Sequence, residues 1–234
     1  MILLALDTSA KTAGIALTRD GLPLLSLCFV AGSDLAARLT PAISSSLDQA
    51  GLSFSDLDAV CATHGPGSFS GLRVGLATAK GIASALGKPA VGVSTLAALA
   101  CNVCGLSPRV HVALDAKKKQ IYAQSFTFTD GLPREISPAA ALSPQQWISG
   151  IEEPGVFLGD GALLYRELLA DAFGDGALVP SSAFHRIRPF SVAFLAERAL
   201  ANTRPGPRDD LSAVYLRAAD AKLPAKPRTQ AGRA

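Results

Sequence analysis

The sequence is short of charge and of aromatic rings. Of its 234 residues 18% are charged and 6% aromatic, with one tryptophan, one methionine and three histidines. Hydrophobic residues make up 49%, which excludes a disordered chain and supplies a core. No apolar run reaches the roughly eighteen residues that a membrane-spanning helix needs. His64, His111 and His185 nowhere stand one helical turn apart, so no helix offers a paired-histidine metal site. Four cysteines without an export signal read as reduced thiols. Strand-like sequence begins at Ile2 with no basic leader, so a cytoplasmic protein free of membrane is expected.

A basic surface is also missing. The net charge is +3, but Lys222, Lys226, Arg228 and Arg233 lie in a tail, 221–234, that holds no acid. The remainder is −1, which gives no support to a nucleic-acid groove on the folded body. The tail itself, proline-containing and basic, reads as flexible.

What is present is a regular order of elements. Ile2–Thr8, Thr12–Thr18 and Leu22–Val30 read as strands, with Asp20–Gly21 as a turn. Leu35, Leu39, Ile43 and Leu47 recur every four residues on a helix that Pro41 should kink or whose hydrogen bonding it should split. A strand Leu57–Thr63, a helix over 70–86, a strand Pro89–Val93 and a helix capped by Ser94 complete a βββαβαβα unit. The pattern then restarts. "ALDTSAKTAGIAL" from Ala5 matches "ALDAKKKQIYAQS" from Ala113, aligning Asp7 with Asp115 and Lys11 with Lys119. Strand, turn and helix follow over Pro154–Phe173, then a helix over Ser191–Asn202. Duplication predicts two similar α/β lobes, 1–105 and 106–220, ahead of the tail, with a terminal helix that the second lobe can exchange with the first.

Paired strand–loop–strand openings, each with an Asp at the end of its first strand, resemble the actin-like ATPase (ribonuclease H-like) fold. The resemblance implies loops that clasp a phosphate between the lobes, with Asp7, Thr8 and Ser9 on one side and Asp115 with Lys117, Lys118 and Lys119 on the other.

The segment "HGPGSFSGLRVGLATAKG", His64–Gly81, is the most distinctive. It lacks the Lys-Ser/Thr of a Walker loop, and Gly65, Gly67 and Gly71 miss the spacing of a dinucleotide fingerprint. A glycine loop entering a helix presents N–H groups to an anion, but Ser68 or Ser70 serves equally as a cap. Gly71, Gly75 and Ala79 share a helix face that admits another backbone closely, within the same lobe or from another subunit.

With "ILLALDTS", "VALDAKKKQIYA" and "AVYLRAADAKLP" in the same order, "GPGSFSGLRVGLATAKGIA" resembles the signature region of the TsaB (YeaZ) family over nearly the whole chain. This family is a paralogue of TsaD and shares its actin-like (ASKHA) fold. The resemblance implies a non-catalytic subunit that activates a TsaD-type partner as it transfers a threonylcarbamoyl group to the adenosine beside the tRNA anticodon. It implies a TsaE-type ATPase as a further partner, a homodimer when alone, and tRNA reached indirectly. The partner interface it implies is Leu35, Leu39, Ile43, Ser68, Phe69, Gly71, Leu72, Gly75, Ala79 and Ile82, so that Gly75→Leu should block pairing and spare the monomer. No cofactor is required. A vestigial nucleotide site would comprise Asp7, Thr8, Ser9, Gly65, Gly67 and Asp115, with room for weak binding. The rival reading is a small actin-fold ATPase or kinase working alone; a third is a metal-dependent peptidase. Cys61, His64, Cys101 and Cys104 are zinc-ligand types, but their spacing favours buried thiols.

Overall fold

A computed structural model describes residues 1–105, 109–202 and 211–217. The basic tail lies outside the described residues, as do residues 218–224 of the closing segment.

The first sheet has the order β3-β2-β1-β4-β5. Strands β1 (Ile2–Asp7), β2 (Thr12–Arg19) and β3 (Leu22–Val30) form an antiparallel meander. Strands β4 (Ala59–Gly65) and β5 (Ala90–Ser94) join in parallel after helical crossovers. β1, β2 and β4 are apolar runs because both of their faces are covered. Helix α1 (Leu35–Gln49) buries Leu35, Leu39, Ile43 and Leu47 against one face of this sheet. It runs on through Pro41; Pro41 and Ala37 are both exposed, so water can serve the carbonyl that proline leaves without a donor. Helix α2 (Phe69–Leu86) lies beside α1, capped by the Ser68 hydroxyl and closed by Gly87 in a left-handed conformation. Helix α3 (Thr95–Ala100) starts at the expected Ser94 cap and ends in a 3₁₀ turn over Cys101–Val103.

The second sheet has the order β10-β6-β7-β8, with β9 also paired to β7. Its strands are β6 (Val110–Lys117), β7 (Gln120–Thr129), β8 (Leu132–Glu135), β9 (Ala140–Leu142) and β10 (Val156–Leu158). Helices α4 (Pro144–Ser149), α5 (Asp160–Leu164) and α6 (Arg166–Phe173) cover one face, around Trp147, Phe157 and Leu169. The second lobe repeats the first as far as β10, α5 and α6. Helix α7 (Pro189–Asn202) then returns to the first sheet and sets Val192, Ala193 and Ala196 against Leu3, Ala5 and Ala16. The reason lies in coverage: α1 and α2 seal only one face of that sheet, and α7 with α3 seals the other. The core around α3 and α7 also takes in Val112, Phe126 and Leu158 of the second sheet, so it joins the two lobes.

Candidate functional site

The site is the cleft between the lobes and the helices beside it. On the first side, β1 ends at Asp7, whose carboxylate turns inward and is 1% exposed. Its Oδ1 accepts from Ser9 N–H at 3.1 Å, Ser9 Oγ at 2.6 Å and Thr63 Oγ1 at 2.8 Å. Burial raises its pKa, against the pull of those bonds. The loop that follows lies directly on α2. Ser9 O accepts the Ser68 N–H at 2.7 Å, and Ser68 Oγ accepts the Gly71 N–H at 3.3 Å. A β-carbon on Gly71 would collide with Thr8 O, one on Gly75 with Thr8 Oγ1, and one on Gly67 with Ser9 O.

This geometry answers what the glycine stretch is for. It is not an open phosphate cradle, because the Ser68 and Gly71 N–H groups are already bonded within the chain. The Gly71–Gly75–Ala79 face is not a subunit contact either. It seats the β1–β2 loop and the core of its own lobe, and all three residues are buried. Leu35, Leu39, Ile43 and Leu72 are buried in the same way. The interface expected of these seven residues is therefore corrected: the apolar stripe of each helix is spent on the sheet. Of the remaining expected interface residues, Ser68 and Phe69 are exposed and Ile82 is half-buried.

The surface that α1 and α2 leave outside is the complementary one. On α1 it presents Ala36, Ala37, Arg38, Thr40, Pro41 and Ser45, with Asp48 and Gln49 at its end, and on α2 Phe69, Ser70, Arg73, Ala77, Gly81, Ser84 and Ala85. A β-carbon on Gly81 meets nothing within 4 Å. The sequence signal was small residues, Ala36, Thr40, Ala77 and Gly81, among outward positions where a solvated helix usually carries charge throughout.

On the second side, Asp115 accepts from Lys117 N–H at 2.8 Å and Lys117 Nζ at 2.5 Å, while its own N–H donates to Asp160 Oδ1 at 2.9 Å. Partial burial works to raise the Asp115 pKa, but the Lys117 bonds outweigh it and hold the carboxyl below its ordinary value. Lys117, Lys118 and Lys119 all have positive φ (63°, 51° and 57°), a conformation costly for side chains with a β-carbon. The segment 211–217 bridges the lobes. Leu211 is buried beside α1 and α2, Val214 N–H donates to His64 O at 2.7 Å, and Arg217 Nη1 donates to Ala116 O at 2.9 Å.

The cleft between these walls measures about 550 Å³ and is lined by Ser9, Lys11, Gly67, Asp115, Lys117 and Arg217, among others. Of the residues expected in a nucleotide site, Ser9, Gly67 and Asp115 line it. Asp7, Thr8 and Gly65 do not; they lie in the packing beneath it. The cysteine and histidine set is not gathered. Cys61 Sγ faces Val192 O, Cys104 Sγ faces Gly131 O, and among the described residues no three metal-ligand side chains cluster.

Comparison with known proteins places this geometry. A family model described as tRNA N6-adenosine threonylcarbamoyltransferase, TsaD, matches residues 30–203. The tRNA threonylcarbamoyladenosine biosynthesis protein TsaB of Bacillus subtilis is 30% identical over 95% of this chain and 96% of its own. A tRNA N6-adenosine threonylcarbamoyltransferase of Moorella thermoacetica is 53% identical over 58 residues, 25% of this chain and 17% of its own. Among solved structures, YeaZ from Pseudomonas aeruginosa superposes with a TM-score of 0.79 at 30% identity, over 92% of this chain and 99% of its own.

Proposed function

The chain belongs to the TsaB (YeaZ) family, and on that premise we propose that it is a non-catalytic subunit in the threonylcarbamoylation of tRNA, activating a TsaD-type transferase by docking beside it. The observation that carries this reading is the outward face of α1 and α2. Two neighbouring helices present Ala36, Thr40, Ala77 and Gly81, small side chains that let partner helices approach closely. The match of the chain to both TsaB and TsaD relatives supports a partner of like fold, meeting this face with its own equivalent helices.

The state of the first loop favours a supporting role over an ATPase acting alone. The Asp7 carboxylate is bonded to Ser9 and Thr63 and does not line the cleft, and the α2 N-terminus is occupied by the chain's own Ser9 carbonyl. Nucleotide binding in this reading is weak and confined to Ser9, Lys11, Asp115 and Lys117. A TsaE-type ATPase joins the pair, tRNA reaches it through the catalytic subunit, and free copies meet through the same helix face. The setting is the cytoplasm; no described helix is long and apolar enough to cross a membrane.

The test is co-purification with the TsaD-type protein of the same cell, comparing wild type with Ala77→Arg/Gly81→Arg. Both positions are exposed, so the monomer folds normally. Loss of the partner supports the reading, and retention at wild-type level contradicts it.

A further inference from the structure

A separate cavity of about 510 Å³ opens on the second lobe, between β7 and α4. None of its lining residues borders the cleft between the lobes, and none comes from α1 or α2. His111 and Ser125 stand on its wall, and both are at least nine-tenths buried, at 3% and 9% exposed. They are directly opposed residues of β6 and β7, so the register of the sheet brings their side chains together on one face.

The direction of their hydrogen bond can be worked out. His111 Nε2 lies 3.0 Å from Glu153 O. A carbonyl oxygen only accepts, so Nε2 carries a proton. Burial holds the pKa of the ring down, so at neutral pH it carries that one proton and Nδ1 is bare. Ser125 Oγ, 2.8 Å from Nδ1, is therefore the donor. The ring is also held in place by Phe157, stacked on it with the centroids 4.9 Å apart. A hydroxyl thus donates to a neutral base, and a third group orients the base, which is the arrangement of an activated serine. Such a pair sealed in a core is packing, but this pair borders a cavity. Trp147 stands on the same wall, 4% exposed, and its indole N–H has no hydrogen-bond partner.

We propose that this cavity is a hydrolytic site at which Ser125 cleaves small uncharged esters. Ser125 Oγ attacks the carbonyl carbon, and its proton passes to His111 Nδ1. The Trp147 N–H binds the carbonyl oxygen as negative charge develops on it. The ester C–O bond then breaks, and the alcohol leaves with the proton from His111. Water attacks the acyl-serine and gives a proton to Nδ1. The acid departs as Ser125 Oγ takes that proton back. The lining selects the substrate class. Ala123, Ala140, Leu142 and Ile151 make its wall apolar, Arg109 and Glu153 pair with each other at 2.5 Å, and Glu152 adds a negative charge that disfavours an anionic substrate. The reaction does not depend on what the outer faces of α1 and α2 bind.

The test treats the full chain with a biotinylated alkyl fluorophosphonate, which forms a bond from a nucleophilic serine Oγ to phosphorus and expels fluoride. Peptide mass spectrometry should place the label on Ser125 of the folded protein and not of the urea-unfolded chain. In parallel, hydrolysis of p-nitrophenyl acetate should fall about a hundredfold in Ser125→Ala, the scale of an activated nucleophile with its base. Wild-type protein that takes up no label, or takes it up at another serine, overturns the proposal whether or not the variant folds. So does a folded Ser125→Ala protein, purified in the same way, that hydrolyses the ester at the wild-type rate.

Discussion

Gly75 lies directly beneath Thr8: a β-carbon on the glycine would overlap the threonine hydroxyl. With Gly71 beneath the Thr8 carbonyl, this contact sets the β1–β2 loop onto the start of α2. The loop that would clasp a phosphate in an actin-like ATPase is thereby fixed to its own helix. The same contact determines what substitutions along α2 will do.

Gly75→Leu should unfold the lobe and not merely release a partner. Overpacking of this kind costs about 1–3 kcal/mol or more, and here the obstacle is a buried loop. Gly81→Ala, on the open side of the same helix, should instead stabilise by roughly 1 kcal/mol, the usual gain over glycine in a helix interior. Urea denaturation of the two variants checks both. Equal midpoints would contradict the assignment of inner and outer faces.

Asp7 predicts an unusual pH dependence. Burial raises its pKa above the ordinary aspartate value of about 3.9, so its contribution to stability is fully present below that value and is lost as pH rises through the folded pKa. Asp7→Asn keeps an oxygen to accept from Ser9 and Thr63 and removes the buried charge. The variant should be more stable than wild type at neutral pH, with an advantage that shrinks toward pH 4. Denaturation curves across that range test it; an advantage that does not vary with pH would contradict it.

His111 works in the opposite direction. Burial lowers its pKa, partly offset by its bond to Glu153 O at 3.0 Å, and Arg109 lowers it further; Ser125 Oγ lies 2.8 Å from the other ring nitrogen. His64 is lowered by burial as well. The unfolded chain therefore binds these protons first, and stability should decline as pH falls below about 6.5, the ordinary histidine value. The ring proton shifts of His111 in a nuclear magnetic resonance titration should place its midpoint below the ordinary histidine value of about 6.5. A midpoint at or above the ordinary value would contradict this.

The second loop stores strain in its lysines. Lys119 has φ of 57°, where a side chain costs about 1–2 kcal/mol relative to the right-handed region. Lys119→Gly should raise the stability of the folded chain by roughly 1 kcal/mol, net of the entropy glycine adds to the unfolded state. Thermal denaturation measures this directly, and a lowered midpoint would argue against strain at the turn.

Much of the fold was legible because it rests on local patterns. The alternation in Thr12–Thr18, the four-residue rhythm from Leu35 to Leu47 and the cap at Ser94 each mark an element that formed as expected. What the sequence did not reveal was which way a face points. Gly71, Gly75 and Ala79 mark a close approach, and spacing alone does not distinguish a neighbour in the same chain from one in another. The Thr8 loop decides that, and it arrives from sixty residues away in sequence. That a terminal helix of the second lobe is shared with the first was an expectation, but its docking was hidden for a similar reason: Val192 and Ala196 read as an apolar face, without showing that Leu3 and Ala5 are what it covers.

The most direct test of the central claim is a binding titration of this chain against the TsaD-type partner, with wild type, Gly81→Ala and Ala77→Arg/Gly81→Arg side by side. The account predicts tight binding by wild type, little change for Gly81→Ala, and a loss of about a hundredfold or more for the arginine variant, whose charges would be buried without partners. Equal affinity for all three chains, with each shown to be folded, would contradict it and move the docking surface away from the outer faces of α1 and α2.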